Sequence, residues 1–408
     1  MSSRIKYFVV STSTCLTLLL LIGVVLGRGA SNADDTLKHI GVFSDVVAKI
    51  KTDYVEEPDM KSVTLGALNG LLEAIDPFAS YLNADQYKEY LKNKDLKRAD
   101  TGLLLSKKFG YVGVVGAVPN SPAAKAGFST GDMVESIKGI ATRDMPLAYA
   151  AMLLQGDAGS SVDISVVRVR HPEPQTVKLT RAMVTLPPVE SKMLPGQVGY
   201  INIDALSPLH VKEAAAAIQK LQKEGAQKLL VDVRNCAVGT PEDGIALANL
   251  FMSQGRITYL KGQRVAQQNF DVEPAKAVTS LPVAVLTNRG TAGAAEILAS
   301  ALMENNRAQV VGERTYGDAA LRKAITMDDG SAIILSTAKY YGPSSGKAIQ
   351  DTGVTPGTPV TETDVQVEYD DNGEPVAETP AQQQQDLKKK LEDDPVVKKA
   401  LEVLGAKV

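Results

Sequence analysis

The sequence predicts an α/β protein of more than one domain. Apolar strands and helices alternate from residue 198 onward, and a stretch of shorter strand patterns lies ahead of them. The 408 residues, 44% hydrophobic and 22% charged, are enough to bury two or three cores. Val198 to Ile203 reads as a strand, His210 to Lys223 as a helix, Lys228 to Val233 as an apolar strand and Pro241 to Met252 as a helix. Val283 to Thr287 is a further apolar strand feeding a helix from Gly293 onward. Such alternation favours parallel strands with crossover helices.

The chain opens with a targeting element. Arg4 and Lys6 precede a largely apolar run from Tyr7 to Leu26, which at about 1.5 Å per residue is long enough to span a bilayer core. Ser31-Asn32-Ala33 offers a small-x-small cleavage site, so residues 1–33 are either a removed signal peptide or, as their length favours, an uncleaved membrane anchor. Both place the bulk of the chain on the extracytoplasmic, periplasmic side. Leu37, Ile40, Phe43, Val47 and Ile50, then Met60, Val63, Leu68, Leu71, Leu72 and Ile75, recur at helical spacing, which predicts a helical N-terminal subdomain over 34–96. Ala74-Ile75-Asp76-Pro77-Phe78 reads as a helix stop at Asp-Pro followed by a buried turn.

Charge and cysteine content narrow the function. A net charge of −3 and a pI near 5.8 give no electrostatic footprint for nucleic acid. Cys15 lies in the apolar N-terminal segment and Cys236 is the other cysteine, so no disulfide is expected in the mature domain. No Cys/His cluster has zinc-ligand spacing, and neither metal nor cofactor is expected.

Residues 97–185 carry a recognisable module. Ser121-Pro122-Ala123-Ala124-Lys125-Ala126-Gly127-Phe128, with Thr130-Gly131-Asp132-Met133-Val134, resembles the core motif of PDZ domains. Gly102, Leu103, Leu104 and Leu105 are similar to the carboxylate-binding loop of that module. There, consecutive backbone N–H groups receive a peptide's C-terminal carboxylate and the peptide adds a strand to the sheet edge. Met145 to Leu154 reads as the helix lining the groove, and Val162 to Val169 alternates as a strand.

Asn288-Arg289-Gly290-Thr291-Ala292-Gly293-Ala294-Ala295-Glu296-Ile297 resembles the N-x-G-S-A-S-A-S-E-I segment of the C-terminal processing (tail-specific) serine peptidases. The resemblance continues at Val311-Gly312-Glu313-Arg314-Thr315-Tyr316-Gly317-Asp318-Ala319-Ala320-Leu321-Arg322, similar to V-G-E-K-T-F-G-K-G-S-V-Q. It extends from Asp76-Pro77, through a hinge-like segment over Pro187 to Leu194, to Gly330-Ser331 and the strand that follows, over about residues 37 to 360. It implies a crotonase-like (ClpP/crotonase-type) α/β core over 186–361 with an inserted PDZ domain and the helical N-terminal subdomain. In this family a serine nucleophile is activated by a lysine base. Here the nucleophile's position holds Gly293 and the base's position Asp318, at the family interval (318 − 293 = 25), while the supporting glutamine falls on Arg322. The family turn D-L-R-N-N-P-G-G, which helps form the oxyanion hole, reads Asp232-Val233-Arg234-Asn235-Cys236-Ala237-Val238-Gly239, leaving Ala237 and Val238 in place of proline and glycine with Gly239 retained. Glycine offers no atom to attack with, and losing a nucleophile removes most of such an enzyme's rate advantage.

The expectation is therefore a catalytically degenerate member that binds protein C-termini or unstructured polypeptide without cleaving them, as a membrane-tethered adaptor or a regulator of an active peptidase relative. The alternatives are an active C-terminal processing endopeptidase and a structural envelope component. As replacement nucleophiles, Thr291 reads as a structural hydroxyl and Cys236 as a buried filler, since no histidine lies near it in sequence. His39, His171 and His210 fall in a helix, a turn and a helix start and read as structural or solvent-facing. Asp318 and Arg322 pair only if that stretch is helical, whereas the family makes it strand-like. Residues 362–408 read as an acidic, Gln-rich linker followed by a short amphipathic helix from Val396 to Leu404.

Overall fold

Runs of β-branched and leucine residues set the strands, and Asp, Ser, Thr or Pro at their exits start the helices. The computed structural model describes residues 37–94, 96, 98–143, 145–169, 171–362 and 393–406. The apolar segment from Tyr7 to Leu26, and most of the acidic and Gln-rich stretch, lie outside the described residues. Among those residues no helix is long and apolar enough to cross a membrane.

The chain divides into two compact units, residues 1–67 and 68–408. In the first lies helix α1 (37–53), whose Leu37, Ile40 and Phe43 are exposed. Helix α2 (Met60–Glu73) leads into the second unit. There, Asp76 stops it as expected: its carboxylate accepts the Phe78 N–H at 2.9 Å, and Phe78 and Ala79 are buried. Strand β1 (Ser80–Leu82) and helix α3 (Ala84–Asn93) follow, the latter started by a reciprocal cap between Asn83 and Gln86.

A six-stranded sheet comes next. It contains β2 (Leu103–Lys108), β3 (Tyr111–Ala117), β4 (Met133–Ile137), β5 (Ile140–Ala141), β6 (Ser161–Arg168) and β7 (His171–Thr180), and β2 forms one edge. Helix α4 (Pro122–Lys125) is capped by Ser121, and α5 (Leu147–Leu154) packs against β2. His171 therefore opens a strand rather than sitting in a turn, because residues 161–180 pair as one hairpin.

Residues Glu190–Leu194 are not a hinge but a strand, β8, paired antiparallel with β9 (Val198–Asn202). The parallel core then runs through α6 (Pro208–Lys223), β10 (Lys228–Asp232) and α7 (Pro241–Asn249), where the helix ends three residues before Met252. Strands β11 (Arg256–Lys261) and β12 (Gln268–Asp271) branch off into another sheet. The core resumes with β13 (Val283–Thr287), α8 (Ala294–Glu304) and β14 (Ala308–Gly312). Strand β15 (Ala320–Thr326) and the long β16 (Ala332–Tyr341) join β1, β11 and β12 in that further sheet, and β17 (Thr358–Pro359) closes the core in the order β17-β14-β13-β10-β9-β8.

Alternation along each core strand supplies two apolar faces. Leu229, Val231, Val283 and Val285 pack on Ile218, Leu221, Leu247, Ile297 and Leu298. On the other face, Val198, Tyr200, Leu230, Ala284, Leu286 and Val311 are covered by Val396, Val397, Ala400 and Leu401 of α9 (Pro395–Val403). The C-terminal helix thus docks on the sheet. Burying each of its valines or its leucine contributes about 1.5–3 kcal/mol at most.

Candidate functional site

The carboxyl ends of β10 and β13 carry the two turns on which the site is built, the usual functional edge of an open α/β sheet. After β10, Asn235 and Gly239 take positive φ values of 58° and 140°. Glycine is required at 239, where an added Cβ would come within 2.6 Å of Leu206 Cβ. Ala237 and Val238 occupy positions of the turn that need no such freedom, so losing the family's glycine at 238 leaves a formed turn, with the Val238 carbonyl accepting the Leu206 N–H at 2.8 Å.

After β13, Asn288 knits the turns together: its Oδ1 accepts the Asn235 and Gly290 N–H groups, and its Nδ2 donates to Asn235 Oδ1 at 3.0 Å. Thr291 is fully buried, its hydroxyl donating to the Val233 carbonyl at 2.9 Å and accepting the Asn288 N–H at 3.0 Å, which leaves it a structural brace. Gly293 then holds φ 62° and ψ −117° at the start of α8. A Cβ there would meet only the Asp318 carbonyl oxygen, at 3.5 Å, so the site has room for a side chain but a backbone that disfavours one.

The structure brings together the positions that the sequence set apart. Gly293 lies beside Asp318, and a Cβ at Gly239 would be 3.2 Å from Ala294. Glu296, to which sequence reasoning gave no role, organises this meeting. Its side chain is fully buried and accepts the N–H groups of Gly293 at 3.0 Å, Gly317 at 2.7 Å and Asp318 at 2.7 Å, together with the Thr315 hydroxyl. Burial pushes its carboxyl up to about 7, against the opposing pull of those donors. The signal was present in the sequence: a glutamate three residues after a helix-starting position is capping-box spacing.

Asp318 precedes β15 and Arg322 lies within it, yet the two form an ion pair. Helical spacing is not needed, because Asp318 sits in the turn before the strand, where Glu296 holds its N–H, and its side chain reaches back to the guanidinium. Arg322 also lies over the Phe78 ring, 4.2 Å from its centroid. A base made from Asp318 would first have to leave this cation.

The other candidate groups near the turns are buried and engaged. Cys236 is fully buried and burial holds its thiol far above the ordinary range, the opposite of an activated thiolate. His210, buried, accepts from or donates to Ser207 Oγ at 2.6 Å through Nδ1 and meets the Pro187 carbonyl at 2.8 Å through Nε2. Ser207 also accepts the His210 N–H, so the pair reads as the N-cap of α6. His39 lies on α1, exposed. Among the described residues no group of His, Cys, Asp or Glu is placed to hold a metal ion.

The six-stranded sheet lies against these turns. Tyr316 and Ala237 pack on its core, the Tyr316 hydroxyl is hydrogen-bonded to Ser106 of β2, and Thr130 approaches Gly290. Leu103, Leu104 and Leu105 form the first half of β2 rather than a loop, with Gly102 entering it at φ 83°. The residues at the start of this edge strand, with α5 beside it, have the layout of a peptide groove.

Fold and site together define an α/β protein of serine-peptidase type bearing a PDZ domain. The family description "Peptidase family S41" matches residues 197–360 and "PDZ domain" matches residues 113–168. The chain belongs to the S41 peptidases, in their C-terminal processing branch. It is 30% identical to the carboxyl-terminal-processing protease of Synechocystis over 77% of this chain and 74% of that one. It is 27% identical to the carboxy-terminal-processing protease of Bartonella bacilliformis over 87% and 82%. Among solved structures, the photosystem II D1 C-terminal processing protease superposes with a TM-score of 0.65 at 27% identity, covering 78% of this chain and 86% of that one.

Proposed function

We propose that this chain is a non-catalytic C-terminal processing peptidase homologue. It binds protein C-termini or unstructured polypeptide through its PDZ domain without cleaving them, and acts as an adaptor or as a regulator of an active relative. The observation that carries the reading is the pairing of Gly293 with an Asp318 already bound to Arg322: one position lacks an attacking atom and the other lacks a free base. The basic residues and apolar run of the N-terminal segment support an extracytoplasmic, membrane-tethered placement.

The names of its relatives favour a second reading, an active processing endopeptidase. The two separate on labelling and binding. A fluorophosphonate serine probe leaves the purified protein unlabelled under the first reading and marks one residue under the second. Peptides ending in a small or apolar residue with a free carboxylate bind in the micromolar range, about −8 kcal/mol, and amidating that end abolishes binding. Equal affinity for the amidated peptide excludes carboxylate capture at Gly102 to Leu105.

A further inference from the structure

The outer edge of β2 is already partly taken. The Lys107 N–H donates to the Pro77 carbonyl at 2.9 Å, a strand-edge hydrogen bond made by a segment outside the sheet. On the opposite wall of the groove, the Ser80 hydroxyl accepts the Ala148 N–H at 3.0 Å in the first turn of α5. Between these anchors Phe78, only 6% exposed, is buried in one cluster with Leu103 of β2 and with Leu147, Ala150 and Leu154 of α5. Pro77 to Ser80 therefore touch both walls.

We propose that Pro77 to Ser80 act as an internal ligand over the far half of the PDZ groove, leaving a site that reads only the carboxylate and the last two residues of a C-terminus. This rests on the peptide-binding reading above. Along a strand edge, alternate residues present N–H and C=O outward, so the outward positions matching Lys107 are Leu105 and Leu103. A peptide strand adding antiparallel, with its carboxylate at Gly102 to Leu105, sets its last residue opposite Leu105 and its third-from-last opposite Lys107. That second pairing position is the one Pro77 holds. The segment is fastened from behind as well: Asp76 accepts the N–H groups of Phe78 and Ser336, each at 2.9 Å, and the Phe78 ring lies beneath Arg322 and edge-on to Tyr316. A ligand that paired with Lys107 would have to pull apart contacts that reach Asp318's own partner.

The test uses the full-length protein and fluorescence anisotropy with a short labelled peptide bearing a free apolar C-terminus. N-methylating the amide of the third-from-last residue should change Kd by less than about twofold, while N-methylating the last amide should weaken binding about tenfold, the effect of one lost hydrogen bond. A loss of about tenfold at the third-from-last amide overturns the internal-ligand proposal while leaving peptide binding intact. No binding of the unmodified peptide at millimolar concentration ends both. Hydrogen exchange gives an independent reading: the Lys107 and Phe78 amides should stay protected when peptide saturates the protein, and loss of protection over residues 76–80 on binding overturns the proposal.

Discussion

Gly293 and Glu296 together set the turn at the start of α8. The positive φ of Gly293 suits glycine, and its N–H is held by Glu296, so the loop's shape does not depend on a serine. Gly293→Ser should fold, since only the Asp318 carbonyl at 3.5 Å faces the new Cβ, at a cost of about 1–3 kcal/mol for the strained backbone. Urea denaturation checks the cost, and the variant should remain unlabelled by a serine probe because Asp318 is engaged by Arg322. Glu296→Gln should also destabilise. The two N–H groups of Gly317 and Asp318 sit on different carboxylate oxygens, so the amide oxygen of glutamine keeps one while its NH2 group faces the other, and leaving a buried donor unsatisfied costs about 1–3 kcal/mol. The pH dependence has a defined sign. Because the folded-state value, about 7, lies above the 4.5 of an ordinary glutamate, the native state binds the extra proton. Its contribution is full below the unfolded value and is lost as pH rises through about 7. Denaturation between these limits should show the wild type losing stability with rising pH relative to Glu296→Gln, and parallel curves would refute the assignment.

Among the elements, α9 is held by a polar clasp as well as by its apolar face. Arg234 binds Asp232 at the end of β10, Glu362 after β17 at 3.1 Å, and Asp394, the N-cap of α9, at 2.6 Å. Asp232 also accepts the Tyr200 hydroxyl at 2.9 Å, and Asn288 reaches Glu362 at 3.1 Å, so the clasp borders the turns of the site. Arg234→Met leaves three carboxylates without their cation and should cost about 3–5 kcal/mol. Limited proteolysis should then cut near residues 393–406 first; an unchanged pattern would mean that the apolar face alone holds α9. The helix itself was legible from Asp394-Pro395 and its spacing, but its docking was not, because its partners come from strands about 90–200 residues away. The same reason hid β11 and β12. Strand β8 read as a hinge because Glu190-Ser191-Lys192 shows no apolar run, its pairing being made by β9 through backbone groups. Strands β9, β10 and β13 were plain because burial on both faces makes them largely apolar.

At the scale of the whole molecule, positions 293 and 318 stood out in the sequence, whereas their environment was not legible there. Spacing placed Gly293 and Asp318 in the family frame. That Asp318 is bound by Arg322, that Glu296 ties both positions, and that Phe78 and Tyr316 join the site to the PDZ sheet depend on contacts between distant segments. Restoring the family residues together, Gly293→Ser with Asp318→Lys and Arg322→Gln, removes the ion pair and supplies nucleophile and base, so trace labelling by a serine probe is the expected outcome, limited by the altered turn at Ala237 and Val238. The account stands most directly on the wild-type protein itself. Purified protein is incubated with an unstructured polypeptide ending in an apolar residue, and the substrate is followed by time-resolved mass spectrometry. The polypeptide should keep its full mass throughout while still binding; steady cleavage that persists through repurification, and vanishes in Ser207→Ala, Cys236→Ala or Thr291→Ala, would contradict the account and identify the nucleophile.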